Sequence, residues 1–206
     1  QLAHEVMKEK EYVAAVRLGA TSTTDDAEGE ITPSPSRFSP SHREVSPPLS
    51  EGEREGVRGE KVGVGRIDIE RVLPQFIGHI AQVPPAYSAV KLKGTPAYKL
   101  ARRGQPVDLK PRTVEIKEIE LLDYTPPPTP PLQEGEGNRA MLTLRVVCGP
   151  GTYIRSLARD IGHALGVGGY LERLERTRVG TYTRTTALSI EQLRERWPHI
   201  ATGCSA

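Results

Sequence analysis

Cys148-Gly149-Pro150-Gly151-Thr152-Tyr153-Ile154-Arg155-Ser156-Leu157-Ala158-Arg159-Asp160-Ile161-Gly162 reads as the end of a strand, a tight turn and a helix. The eight residues before the turn, Met141 to Cys148, alternate. Leu142, Leu144, Val146 and Cys148 share one face, as in a half-buried strand. Gly149-Pro150-Gly151 breaks the strand and reverses the chain. Thr152 is the expected N-cap. Ile154, Leu157, Ala158, Ile161 and Leu165 then fall at helical spacing, and Gly166 is a natural stop.

Arg155 is unusual within that helix. It falls in the first turn, where the backbone dipole is positive and a cation is disfavoured. Two readings follow. One is a solvated arginine. The other is an anion site built from a guanidinium and helix-start N–H groups. The neighbouring Tyr153 reads either as core or as part of such a site.

Working outward, 206 residues suit one domain. A hydrophobic fraction of 36% with 20 Gly and 18 Pro places part of the chain outside any core. A net charge of +2 makes no argument about nucleic acid, so local charge must. Cys148 reads as a buried strand thiol, and two cysteines make no disulfide framework, which fits a reducing cytosol. No stretch suggests a membrane span, a signal peptide or metal-ligand spacing.

Residues 1–9, with Leu2, Val6 and Met7, read as the end of a helix. Lys10 to Leu18 alternates Tyr12, Ala14, Val16 and Leu18 as a strand. The polar run from Thr21 to Glu30 reads as turns, with Asp25 and Asp26 facing solvent and a metal site as the alternative. Segments 32–61 and 125–139 are low-complexity and carry too little apolar surface to offset their ordering entropy; they are expected to be disordered. Pro47-Pro48-Leu49-Ser50-Glu51-Gly52-Glu53 and Pro130-Pro131-Leu132-Gln133-Glu134-Gly135-Glu136 share wording, as two insertions of one phrase would. A Pro-rich recognition segment is the alternative.

Asp68 is expected to cap a helix from Ile69 with Val72, Leu73, Phe76 and Ile77 on its apolar side, interrupted by Pro74 and ended by Val83-Pro84-Pro85. Residues 86–112 hold Lys91, Lys93, Lys99, Arg102, Arg103, Lys110 and Arg112 against a single acid, Asp108, with Tyr87 and Tyr98 interleaved. Such imbalance with aromatics is the footprint of an RNA contact, the alternative being a solvated charged face. Thr113 to Leu122 changes phase between Ile116 and Ile119, as a bulged strand does. Leu171 and Leu174 suggest a short helix, and Arg173, Arg176, Arg178 and Arg184 a second basic cluster around a strand from Val179 to Tyr182. Ser189 and Gln192 make a capping box before a last helix. Trp197-Pro198 is expected to open a tail, 197–206.

Several of these stretches together resemble the TruB family of bacterial tRNA pseudouridine-55 synthases. Gly151 to Gly162 is similar to one family signature. Lys10-Glu11-Tyr12 followed by Arg17-Leu18-Gly19 and Thr24-Asp25-Asp26-Ala27-Glu28-Gly29 resembles another. Val83 to Gly94, with Tyr98 and Ala101-Arg102-Arg103-Gly104, resembles its tRNA-gripping thumb, and Leu174 to Gly180 the end of its catalytic domain. The thumb wording is of the bacterial style rather than that of dyskerin-like, guide-RNA-dependent synthases.

The resemblance implies an α+β pseudouridine-synthase fold: a mixed, mainly antiparallel sheet with flanking helices, here incomplete, over residues 1–196. It implies isomerisation of a uridine in the TΨC loop by base flipping and an attacking aspartate, with no cofactor, in a cytoplasmic monomer whose partner is tRNA. Tyr12 would stack on the flipped base, Tyr153 would line the pocket, and Arg155 would pair with the catalytic carboxylate. Lys91, Lys93, Lys99, Arg102 and Arg103 would hold tRNA. The family's aspartate stands in a Gly-x-Leu-Asp-Pro block, and none of Asp25, Asp26, Asp68, Asp108, Asp123 and Asp160 has that context. The expectation is therefore a truncated chain without its nucleophile or accessory C-terminal domain. Its Arg155 would lack an anion, and its remaining role would be a catalytically inactive tRNA-binding or remodelling fragment.

Overall fold

The computed structural model describes residues 9–34, 64–127 and 139–202. The expected helix end before Glu9 and most of both low-complexity segments lie outside the described residues. The elements in order are β1 (Lys10–Leu18), β2 (Ala20–Ser22), β3 (Ile31–Pro33), α1 (Arg66–Val72), a 3-10 turn (Leu73–Phe76), β4 (Gly78–Gln82), β5 (Lys91–Leu92), β6 (Thr95–Pro96), α2 (Ala97–Ala101), β7 (Arg112–Thr125), β8 (Met141–Cys148), α3 (Ile154–Ala164), β9 (Gly169–Val179), β10 (Tyr182–Thr183), a 3-10 turn (Arg184–Thr186) and α4 (Ile190–Thr202).

Six strands form one sheet in the order β10-β9-β1-β8-β7-β4, and every neighbouring pair is antiparallel. Outside the named strands, the isolated bridge Asp26–Leu171 is parallel. The alternation of β1 and β8 does what their sequences require. Ala14, Val16, Leu18, Leu142, Leu144, Val146 and Cys148 are buried on one face, against Leu157, Ala158 and Ile161 of α3. The opposite face carries ion pairs across four strands: Glu9 with Lys117 and Arg178, and Arg145 with Glu11, Glu118 and Glu120. Burial pushes the Cys148 thiol above its ordinary range.

The bulge expected in β7 is present: the register against β8 shifts between Ile116 and Glu118, returning Ile119 to the buried face. Residues 171–174 are strand, not helix. The register of β9 against β1 shifts between Ala15 and Val16, with Leu171 opposite Val16 and Leu174 opposite Ala14. One extra residue in the strand puts two leucines three apart on the same face, which imitates helical spacing in sequence.

Three other expectations change. α1 starts at Arg66 with Gly65 as N-cap. Asp68 serves from inside the first turn, its Oδ2 accepting the Gly65 N–H at 3.0 Å. The helix then tightens at Pro74, and β4, unannounced by any strong alternation in Gly78–Gln82, takes the outer position beside β7. The start of the first low-complexity segment is ordered, since Thr32 and Pro33 pair with β2. The Ser189–Gln192 box is formed, with Gln192 N–H donating to Ser189 Oγ at 3.2 Å and Ser189 N–H to Gln192 Oε1 at 3.0 Å. Its helix continues past Trp197 and Pro198 to Thr202, where a tail was expected.

Candidate functional site

The helix-start arginine has its anion within the chain. Arg155 Nη1 donates to Asp26 Oδ2 at 2.9 Å and to the Thr24 carbonyl at 3.3 Å, and Nη2 donates to the Tyr87 carbonyl at 2.9 Å. Asp26 Oδ1 accepts from Thr24 Oγ1 at 2.5 Å and from the Glu28 N–H at 3.1 Å. The side chains are 26% and 19% exposed, so the pair is largely shielded. The expectations that Asp25 and Asp26 face solvent and that Arg155 lacks a carboxylate are both corrected. The β2–β3 turn folds back onto α3, fastened by Leu171 N–H to the Asp25 carbonyl at 3.0 Å. That long-range return is invisible to local pattern. A signal was nonetheless present: two arginines one helical turn apart, 155 and 159, and two adjacent aspartates in a turn.

Thr152 does not cap α3. Its hydroxyl donates to the Gly149 carbonyl at 3.1 Å, and Tyr153 is the N-cap, its N–H donating to Gln82 Oε1 at 2.8 Å. Ser156 Oγ and Arg159 Nη2 both donate to the Val83 carbonyl, at 2.8 and 3.0 Å. The first turns of α3 thus hold the segment 82–87 in place. Gln82 Nε2 and Ser88 Oγ in and beside that segment are buried and unpartnered among the described residues. Sequence reading singled out neither.

Tyr12 sits on the buried-face phase of β1, half-buried against the main core. Burial raises its phenol above the ordinary range, Cys148 adds to this, and Arg176 opposes it. Leu174, opposite Ala14, is 43% exposed, and Arg176 lies opposite Tyr12. Both share the face of Tyr12, as residues two apart on β1 demand. Tyr153 packs elsewhere, against a second small core of Val90, Ala97 and Leu109. The structure therefore joins Tyr153 and Arg155 at one helix start and places Tyr12 in a separate apolar cluster.

That second core belongs to the basic segment. β5 and β6 form a hairpin whose tip, Lys93-Gly94, has φ of 48° and 85°, and α2 follows. Two left-handed residues give the tight turn that matches strand twist, and Gly94 suits one of them. Lys91, Lys93, Lys99, Arg102, Arg103, Lys110 and Arg112 are all exposed, and none is in an ion pair among the described residues. The Arg102 guanidinium carbon lies 5.6 Å from the Tyr98 ring centroid. The expected second cluster differs: Arg178 is neutralised by Glu9 and Glu11, and Arg184 by Glu175.

Comparison with known proteins fits this arrangement. The family model described as TruB family pseudouridylate synthase (N terminal domain) matches residues 50–154, and that described as tRNA pseudouridylate synthase B C-terminal domain matches residues 155–201. This chain belongs to the TruB family. The boundary between the two TruB matches falls beside Arg155, inside α3, so both share one sheet and core.

Among TruB relatives, tRNA pseudouridine synthase B of Pseudomonas fluorescens is 40% identical over 185 residues, covering 90% of this chain and 48% of the relative. That of Francisella philomiragia is 38% identical over 190 residues, covering 91% and 50%. The chain spans about half the length of the relatives it matches. The crystal structure of a Cbf5-Nop10-Gar1 complex matches with a TM-score of 0.54 and 24% identity, over 100% of this chain and 41% of that one. A structure of an H/ACA RNP bound to a substrate RNA containing 2'-deoxyuridine gives 0.50 and 21%, over 100% and 39%. Both establish the shared fold.

Arg155→Ala is expected to cost about 2 kcal/mol, because it strips a shielded carboxylate and two carbonyls of their donor. A double-mutant cycle with Asp26→Ala, read by urea unfolding, is expected to show a coupling of about 1–2 kcal/mol. Additive single effects would show that the pair contributes nothing specific.

Proposed function

We propose that this TruB chain is the RNA-gripping and pocket-forming part of a tRNA pseudouridine synthase acting on the target uridine of the TΨC loop. In the complete reaction the base leaves C1′ and is rejoined to it through C5, giving an isomer with no net change of atoms. The observation that carries the reading is the arm 86–112: it carries seven exposed cations, none in an ion pair among the described residues, beside a small core that also seats Tyr153. Phosphates would be met by Lys91, Lys93, Lys99, Arg102 and Arg103, as unpaired cations favour. The uridine, turned out of its loop, would stack on Tyr12 and lie beside Tyr153 and Arg155.

Neither aspartate of the β2–β3 turn is placed to supply the attack. Asp26 is engaged at both oxygens and Asp25 is held by Arg159 at 2.8 Å, so both serve to orient. A carboxylate committed to several donors is a poor nucleophile. Among the described residues no helix is long and apolar enough to cross a membrane. The likeness to bacterial tRNA pseudouridine synthases supports a cytoplasmic chain, which we take to act as a monomer.

The test uses the purified 206-residue chain and a TΨC stem-loop. Salt-dependent binding with no pseudouridine formed is the expected result. Pseudouridine in the product would overturn the assignment of an inactive chain, and binding indifferent to salt would overturn the arm's role.

A further inference from the structure

A second arginine–aspartate pair lies beside the first. Arg159 Nη1 donates to Asp25 Oδ2 at 2.8 Å, Nε donates to Asp160 Oδ1 at 3.0 Å, and Nη2 holds the Val83 carbonyl. Asp25 is only 13% exposed. We infer that Asp25 and Arg159 are positioning residues: they hold the Arg155–Asp26 pair, and with it the entrance to the basic arm, in register with the pocket. The inference rests on reading Arg155 as a pocket residue.

The geometry carries it. In an extended chain, adjacent side chains point to opposite sides, so Asp25 and Asp26 would not both reach one helix. Asp25 is at φ 62°, a left-handed conformation that a residue with a Cβ seldom adopts. That single departure lets neighbouring carboxylates meet Arg159 and Arg155, which stand about 6 Å apart along the helix axis. The Asp25 carbonyl is in turn fastened by Leu171 N–H, and Asp26 bridges to Leu171.

On the other side, the two guanidiniums grip carbonyls four residues apart, Val83 by Arg159 and Tyr87 by Arg155. The result is a two-rung ladder tying the β2–β3 turn, α3 and the root of the arm together. Loss of one rung leaves every acceptor of Arg155 present but frees the turn and the arm root to move. Burial drives the Asp25 carboxyl above its ordinary range although Arg159 opposes this. A buried acid kept at such a cost fits a role in placement better than one in stability.

The experiment uses the full chain with Asp25→Asn, which keeps the side-chain shape and tolerates left-handed backbone. Asp25→Gly, at ease at positive φ, and Arg159→Lys guard against a variant that fails to fold. Two readouts are taken. Rotation of the Arg155 guanidinium about its Nε–Cζ bond, followed by nitrogen NMR, is expected to speed up about tenfold. Preference for a TΨC stem-loop carrying the target uridine over one with an abasic site there is expected to fall about tenfold, with the salt dependence of binding unchanged.

A lower melting temperature with neither readout altered would overturn the inference, leaving a mere staple. Unaltered Arg155 rotation alone would also overturn it. If the wild-type chain shows no preference for the uridine, the proposed pocket fails, and the rotation of Arg155 still decides whether the ladder holds.

Discussion

Gly162→Ala is expected to lower the stability of the chain by at least about 3 kcal/mol, the severe end of overpacking effects. At this chain length each kcal/mol is about 2–4 °C in melting temperature, so a fall of about 10 °C is the measurable outcome. The cause is backbone against backbone. A Cβ on Gly162 would lie 2.2 Å from the Gly169 nitrogen, 2.3 Å from the Gly168 carbonyl carbon and 2.5 Å from the Gly169 Cα. No side chain can turn aside, because the obstacles are main chain.

The same close approach lets Val167 and Gly168 donate to the Gly162 carbonyl, at 3.1 and 3.0 Å, and so closes the turn from α3 into β9. Parting them shifts α3, and with it Arg155 and Tyr153, relative to Tyr12 on β1. Gly149→Ala is the control. Its Cβ would meet nothing closer than 3.6 Å, and it is expected to change stability by less than about 1 kcal/mol. Equal melting temperatures for wild type and Gly162→Ala would show that the helix and strand are not so tightly joined.

Joint replacement of Lys91, Lys93, Arg102 and Arg103 by alanine is expected to weaken binding of a TΨC stem-loop about a hundredfold or more at 0.1 M salt. Each phosphate contact contributes about 0.7–0.9 to the slope of log affinity against log salt, so the slope should shrink by about 3. The four are exposed and none is in an ion pair among the described residues, and the Arg102–Tyr98 contact is a surface one, so the melting temperature should nearly hold. Lys117→Ala supplies the contrast. That cation is already matched by Glu9 at 2.8 Å on the opposite sheet face and should leave the slope unchanged. A slope unmoved by the fourfold variant would remove the arm from the RNA interface.

Much of the fold was legible because its signals are local. Alternation gave β1 and β8, the phase change gave the bulge in β7, and helical spacing ending at Gly166 gave α3. What escaped was set by partners distant in sequence. β4 carries one large aliphatic residue, Ile80, on a weakly patterned segment and is a strand because β7 offers it an edge. β9 looked helical because a bulge against β1 brings residues three apart to one face. Asp25 and Asp26 looked like ordinary turn acids because nothing nearby in sequence announces Arg159 and Arg155, more than a hundred residues away.

By itself, then, the sequence determined the family wording, the basic arm and an arginine at a helix mouth in need of an anion. Each is a matter of which residues stand side by side along the chain. Only the tertiary structure decided which anion that is, which cations remain free for a partner, and that Tyr153 belongs to the arm's core while Tyr12 belongs to the sheet's. Those depend on pairing across the fold, where a few ångströms settle whether a charge is satisfied within the chain or left exposed.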